Sequence, residues 1–215
     1  DKAAVDAAVA EIEAAGGEAL GIACDLRDDD NARRIVKETA TRFGGLDFVW
    51  NHVGHPGTAA IEGIDMADYE LAMDLNIRTV LVTTEAALPE LRARGGGALL
   101  YTASTSGLRG SAFSPVYSAA KFGIVGMVRS MAKRYAPDKI RVNAVCPGPT
   151  DTPMLRVFVA RPDQQSTQGQ DKEEIVAQYA ASNPMGRAAR AYRSNRSALL
   201  DLKIDAAPNS SDARP

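Results

Sequence analysis

A phenol and an ammonium stand four residues apart in Tyr117-Ser-Ala-Ala-Lys121, a spacing that puts both on one face of a helix. A phenol ordinarily loses its proton near pH 10 and a fixed positive neighbour favours the phenolate. Lowering that value by roughly 3 units asks for about 4 kcal/mol of differential interaction. A close ammonium joined by a cationic cofactor offers an interaction of that kind, and a tyrosine so tuned exchanges a proton with an alcohol or carbonyl near neutral pH. Ser104 lies thirteen residues earlier, just past a candidate strand, where a hydroxyl can hydrogen-bond a substrate oxygen. Asn76 falls in mid-helix, where its propensity is poor, so its carboxamide either closes a side-chain hydrogen bond or anchors a water near Lys121. Each also has an ordinary reading, as a solvated Tyr-Lys pair, a turn-forming serine and a satisfied asparagine. Their combination carries the chemical reading.

The elements that position these residues alternate. Val5, Ala8, Val9 and Ile12 recur at helical spacing up to Gly16-Gly17, and residues 18–24 then read as a short buried strand. A helix over residues 31–43 ends at Gly44-Gly45 and is followed by a strand over 46–50 that ends at Asn51. Asp65 caps a helix over 66–91, with Met73, Ile77, Val80, Thr84 and Leu88 along one face, and Gly95-Gly96-Gly97 breaks it. Residues 98–102 form the next strand, 115–134 an amphipathic helix marked by Ala120, Ile124, Met127, Val128 and Met131, and 140–145 a further strand. Strands separated by helices of this length cannot be hairpins, so a parallel α/β sheet with right-handed crossovers is expected, with ligands at the strands' carboxyl ends. Past Asp151 the pattern weakens, and residues 161–172 read as a mobile loop or lid. The last 25 residues hold one apolar cluster, Ala198-Leu199-Leu200.

Composition narrows the classes. With 215 residues, 45% hydrophobic and 24% charged, the chain suits one globular domain. Twenty-five Lys and Arg against 27 Asp and Glu leave a charge of −2, which recommends neither a nucleic-acid nor an anionic-membrane partner. Cys24 and Cys146 are too few for a disulfide framework and, with His52 and His55, too few for a zinc site, so no metal is expected. No apolar run reaches the roughly 20 residues of a membrane span and no signal segment opens the chain, so a cytoplasmic setting is expected. The start at Asp1 reads as a cut from something longer.

Taken together, Asn76, Ser104, Tyr117 and Lys121 resemble the catalytic tetrad of the short-chain dehydrogenase/reductase family. Other segments are similar in the same order: Asp25 and Leu26 resemble the Asp-Leu that meets the adenine, and Asn51-His52-Val53-Gly54 resembles an Asn-Asn-Ala-Gly turn, departing at His52 and Val53. Pro147-Gly148-Pro149-Thr150-Asp151-Thr152 resembles the Pro-Gly-x-x-x-Thr segment that clasps the nicotinamide carboxamide. The resemblance implies a Rossmann-like, doubly wound parallel sheet with helices on both faces, a three-layer α/β/α domain over residues 1–190, followed by an atypical tail over 191–215. It implies NAD or NADP as cofactor and a secondary alcohol or ketone as the small-molecule substrate, interconverted by hydride transfer. Ser104 and Tyr117 would hold the substrate oxygen, Lys121 the nicotinamide ribose, and Asn76 a water. Asp25, Leu26, Asn51, Val53, Gly54, Pro147, Gly148, Thr150 and Thr152 would join Tyr117 and Lys121 around the cofactor. Ser106, Pro149 and Met154 are expected pocket walls and His55 an exposed loop residue. The resemblance implies a homo-oligomer, dimer or tetramer; the family's tetramer interface uses a last strand not found here, and the faces of helices 66–91 and 115–134 can pair into a dimer.

Two departures limit the resemblance. No Gly-x-x-x-Gly-x-Gly follows a strand in this sequence, so the phosphate turn and the residue that separates NAD from NADP cannot be read. Without the family's first two strands, residues 18–24 and 46–50 are expected to expose unpaired edges, and some 35 to 45 preceding residues, by family analogy, are expected to be missing. The alternative is a non-catalytic remnant or binding protein of the same fold, unable to hold the dinucleotide. A serine hydrolase is disfavoured, because Ser104 stands in no Gly-x-Ser-x-Gly elbow.

Overall fold

Three short parallel strands, β1 (Phe48–Asn51), β2 (Gly97–Thr102) and β3 (Ile140–Val145), pair in the order β1-β2-β3 in a computed structural model. It describes residues 1–161, 163–164, 167–181 and 183–190; the tail over 191–215 lies outside the described residues. The register sets Asn51 beside Tyr101 and Thr102 beside Val145, so the strands end level. In β2 the run Ala98, Leu99, Leu100 and Tyr101 is buried on both faces, as a central parallel strand requires.

Four α-helices precede β2: α1 (Lys2–Ala14), α2 (Asp29–Phe43), α3 (Met66–Met73) and α4 (Thr79–Ala93). α5 (Ser106–Arg109) and α6 (Pro115–Tyr135) precede β3, and a two-residue parallel bridge, β4 (Thr150–Asp151) with β5 (Ala189–Arg190), encloses α7 (Pro153–Val159) and α8 (Lys172–Ala181). The core gathers Val36 and Ala40 of α2, Val80, Leu88 and Leu91 of α4, Ile124 and Val128 of α6, and Leu99, Tyr101, Ile140 and Val142 of the strands. α2 ends where Gly44 turns left-handed at φ 76°, and α6 starts with Pro115 in its first turn, where the missing N–H costs nothing.

Two elements differ from expectation. Residues 18–24 form no regular element and pair with no strand among the described residues, and Leu20 is 39% exposed. This segment is held by α1, which approaches so closely that a Cβ on Gly21 would lie 2.7 Å from Val5 Cγ1. Apolar alternation marks a strand only when a neighbouring strand supplies the ladder. The helix over 66–91 is three pieces, α3, a π-helical turn over Asp74–Arg78 and α4. Such wide turns free main-chain groups and are frequent at functional sites.

Candidate active site

The level ends of β1, β2 and β3 open onto one cleft of about 370 Å³. Its floor is the chain leaving each strand: His52, Val53 and Gly54 after β1, Ala103 to Ser106 after β2, Pro147, Gly148 and Pro149 after β3. Tyr117 and Lys121 enter from α6, and α7 and α8 close the far side with Met154, Leu155, Phe158 and Tyr179. This is the end of a parallel sheet at which ligands bind.

Ser104 is set by main-chain bonds that continue the ladder past β2: Ala103 N donates to Val145 O at 2.8 Å and Thr105 N to Pro147 O at 3.0 Å. Its buried hydroxyl accepts Ser106 N at 3.1 Å, which fixes its rotamer towards the cleft. Tyr117 packs edge-on against Phe158, ring centroids 5.4 Å apart. Burial pushes the Tyr117 phenol above its ordinary range, while the adjacent Ser104 hydroxyl works the other way. Lys121 is 3% exposed; its Nζ lies 5.4 Å from the Tyr117 ring centroid and donates to Thr102 O at 2.9 Å. Burial draws the ammonium down to about 8. Burial is thus the largest influence on the Tyr117 phenol in this pocket, with the Ser104 hydroxyl opposing it.

Asn76 does not reach the cleft. It is fully buried in the π-helical turn, where its Nδ2 donates to Ala72 O at 2.7 Å and to His55 O at 2.8 Å, and its Oδ1 accepts His55 N at 3.4 Å. These bonds are the satisfied-asparagine reading, and Asn76 Oδ1 also lies near Gly54 and Lys121. A Cβ on Gly54 would lie 3.1 Å from Asn76 Oδ1 and 3.4 Å from Lys121 Nζ, so glycine keeps that gap open.

Of the residues expected around a cofactor, Val53, Gly54, Tyr117, Lys121, Pro147, Gly148, Thr150 and Thr152 line the cleft. Asp25, Leu26 and Asn51 stand away from it. Asp25 is exposed, its carboxyl held down to about 2 by the Arg27 guanidinium and main-chain N–H. Leu26 O accepts the Thr79 hydroxyl at 3.0 Å, and buried Asn51 accepts the Thr83 hydroxyl at 2.5 Å. His55 is half-buried rather than exposed, with its Nδ1 accepting Gly57 N at 3.2 Å.

Other cleft residues were not singled out by the spacing argument. His52 Nδ1 meets the Thr102 hydroxyl at 2.8 Å, and that hydroxyl also accepts the Trp50 indole N–H at 2.9 Å. The departure from Asn-Asn-Ala-Gly at this position was the available signal. Leu155 and Phe158, three apart behind Pro153, carry the helical spacing of a wall. Arg156 ties that wall together, donating to Asp151 at 2.7 Å and to Glu173 at 2.8 Å.

A family model described as short chain dehydrogenase matches residues 1–163. The chain belongs to the short-chain dehydrogenase family. Among its relatives, cis-4-hydroxycyclohexanecarboxylate dehydrogenase of Sinomonas cyclohexanicum is 33% identical over 177 residues, covering 82% of this chain and 66% of that protein. The 3-oxoacyl-[acyl-carrier-protein] reductase of Synechocystis sp. is 31% identical, covering 74% and 64% respectively. This chain thus spans about two thirds of the length of the curated relatives it matches. A crystal structure from Burkholderia xenovorans superposes with a TM-score of 0.84 at 32% identity, covering 96% of this chain and 76% of that one. NAD+-bound xylitol dehydrogenase does so with a TM-score of 0.84 at 24% identity, over 94% and 79%. These likenesses make the fold the three-layer, Rossmann-like α/β/α class expected of a short-chain dehydrogenase. Among the described residues no helix is long and apolar enough to cross a membrane.

Proposed function

We propose that this protein is an NAD- or NADP-dependent oxidoreductase that interconverts a secondary alcohol and a ketone. The observation that carries the reading is the meeting of the Ser104 and Tyr117 hydroxyls in one cleft, with Lys121 buried behind the phenol. The residues suit the nicotinamide-ribose end of a dinucleotide. Lys121 has ammonium donors beyond the one used on Thr102 O, and the space that a Cβ on Gly54 would fill is open beside it. Lys121 would hold the ribose hydroxyls, and the Pro147-Gly148 turn with Thr150 and Thr152 would flank the ring. Asp25 and Leu26 are assigned to the adenine end by resemblance alone. When bound, the dinucleotide supplies the hydride donor or acceptor.

The chain's own part is position and proton. Ser104 Oγ and Tyr117 Oη hold the substrate oxygen between them, fixing the carbonyl carbon's distance and face. Burial raises the Tyr117 phenol and so favours its protonated form, the one that donates to the oxygen of a ketone; in the reverse direction it must first lose that proton. Asn76, held at both ends by main chain, would line with Lys121 the gap that Gly54 leaves open, where a water could reach the ammonium.

The test is a panel of neutral ketones and secondary alcohols with NADH, NADPH and their oxidised forms, followed by the near-ultraviolet absorbance of the reduced nicotinamide. Turnover of at least one ketone with one coenzyme is expected. Dinucleotide binding without turnover of any panel member would favour a binding protein of the same fold.

A further inference from the structure

Among the described residues, one buried cation has no part in the chemistry of the cleft. Arg161, immediately past α7, is 4% exposed, yet it belongs to neither the tetrad nor the cleft lining. Its guanidinium donates to Pro56 O at 3.1 Å, to Gly57 O at 3.5 Å and to Phe113 O. The same guanidinium stacks over the Phe158 ring at 4.8 Å, and Phe158 is the residue packed edge-on against Tyr117 at 5.4 Å. Two residues on, the Asp163 carboxylate accepts the main-chain N–H of Ala60 at 3.0 Å and that of Ala59.

We propose that Arg161 is a positioning residue that fastens the α7 wall to two loops adjoining the tetrad, and that it sets the Tyr117 phenol through the Phe158 ring. The loop over residues 55–60 includes His55, whose main chain holds Asn76, and Phe113 stands four residues before Tyr117, just ahead of α6. One planar fork therefore links the Asn76 side of the site, the start of the Tyr117 helix and the wall across from them. A guanidinium can do this because its donors point in several fixed directions at once; an ammonium is a point donor on a flexible stem. Removing the fork frees Phe158 to turn away from Tyr117, which widens the substrate side of the cleft without touching the cofactor side.

The proposal rests on Tyr117 as the proton-transfer group, so its test has arms that need no turnover. Arg161→Met and Arg161→Lys are compared with the wild type by amide hydrogen exchange over residues 155–159, with β2 as internal reference, and by the fluorine resonance of fluorotyrosine at position 117. Both variants are expected to speed exchange at 155–159 about tenfold, with β2 unchanged, and to move the position-117 resonance. On a turned-over ketone, KM is expected to rise about tenfold with the dinucleotide affinity unchanged, and Arg161→Met combined with Phe158→Leu to cost little more than either alone. Should Arg161→Met fail to fold, Arg161→Lys, which keeps the charge and most of the stem, carries the same comparison. Unchanged exchange at 155–159, an unmoved resonance, or additive effects of the two substitutions would overturn the proposal. If exchange and resonance shift while the wild type turns over no ketone, the fastening stands and the oxidoreductase reading fails.

Discussion

Tyr117 and Lys121 were legible as a pair from their spacing, but the desolvation of both groups was not. Spacing says that two side chains share a helical face; it does not say how much water that face retains. Here Lys121 is buried and drawn down to about 8 from its ordinary 10.5 by desolvation, so the site holds a charge the fold does not favour. At ~1.4 kcal/mol per pH unit, burying that ammonium costs on the order of 3 kcal/mol, offset in part by the hydrogen bond to Thr102 O. The cost is fully present below about pH 8, fades as the ammonium titrates in the fold, and has gone above 10.5. Lys121→Met is therefore expected to be more stable than the wild type near pH 7, by about 1–2 kcal/mol after loss of that bond. The advantage should shrink between pH 8 and 10.5. Urea melts of both proteins across that range check it; a variant less stable at pH 7, with no convergence at high pH, would show that the ammonium stabilises the fold. The other residues the spacing argument missed, His52 and Phe158, face the cleft because of how loops and α7 pack, which no local period encodes.

At the scale of elements, the alternation of helix and strand was readable wherever the apolar period was strong, as in α6 and the strand over Gly97–Thr102. It failed where an element depends on a partner, as for residues 18–24, and where helical hydrogen bonding changes type without a change in period, as at Asp74–Arg78. That π-helical turn is what allows Asn76 Nδ2 to take the carbonyl of Ala72, four residues back. The placing of α6 has an equally local cause. A Cβ on Gly107 would lie 2.6 Å from Lys121 O, so α5 crosses α6 with main chain against main chain at the position of the buried lysine. Gly107→Ala must push the two helices apart, and overpacking of this kind costs about 1–3 kcal/mol. The expected result is a melting midpoint lowered accordingly, together with a loss of dinucleotide affinity of about tenfold as Lys121 shifts. Calorimetric melting and titration measure the two effects; an unchanged affinity would separate this crossing from the site.

For the whole molecule, burial is uneven. β2, β3 and the helices packed on them carry the largest fully buried side chains, Tyr101, Leu99, Ile140, Leu91 and Ile124, whereas α1 buries no residue and leaves Ile12 46% exposed. Local opening follows such differences, so the amides of α1 are expected to exchange several orders of magnitude faster than those of β2. Protection in α1 equal to that in β2 would mean that something other than the described residues covers it. The site avoids this weakly packed end: every residue that touches the cleft belongs to the strand ends or to the elements that follow them. The account as a whole stands on the phenol at that edge being the group that moves the proton, and Tyr117→Phe removes one hydroxyl and nothing else. Turnover of a ketone that the wild type reduces should fall at least about 10³-fold, while the variant's dinucleotide dissociation constant stays within about threefold of the wild type's. Near-wild-type turnover by Tyr117→Phe would place the proton elsewhere and contradict the account.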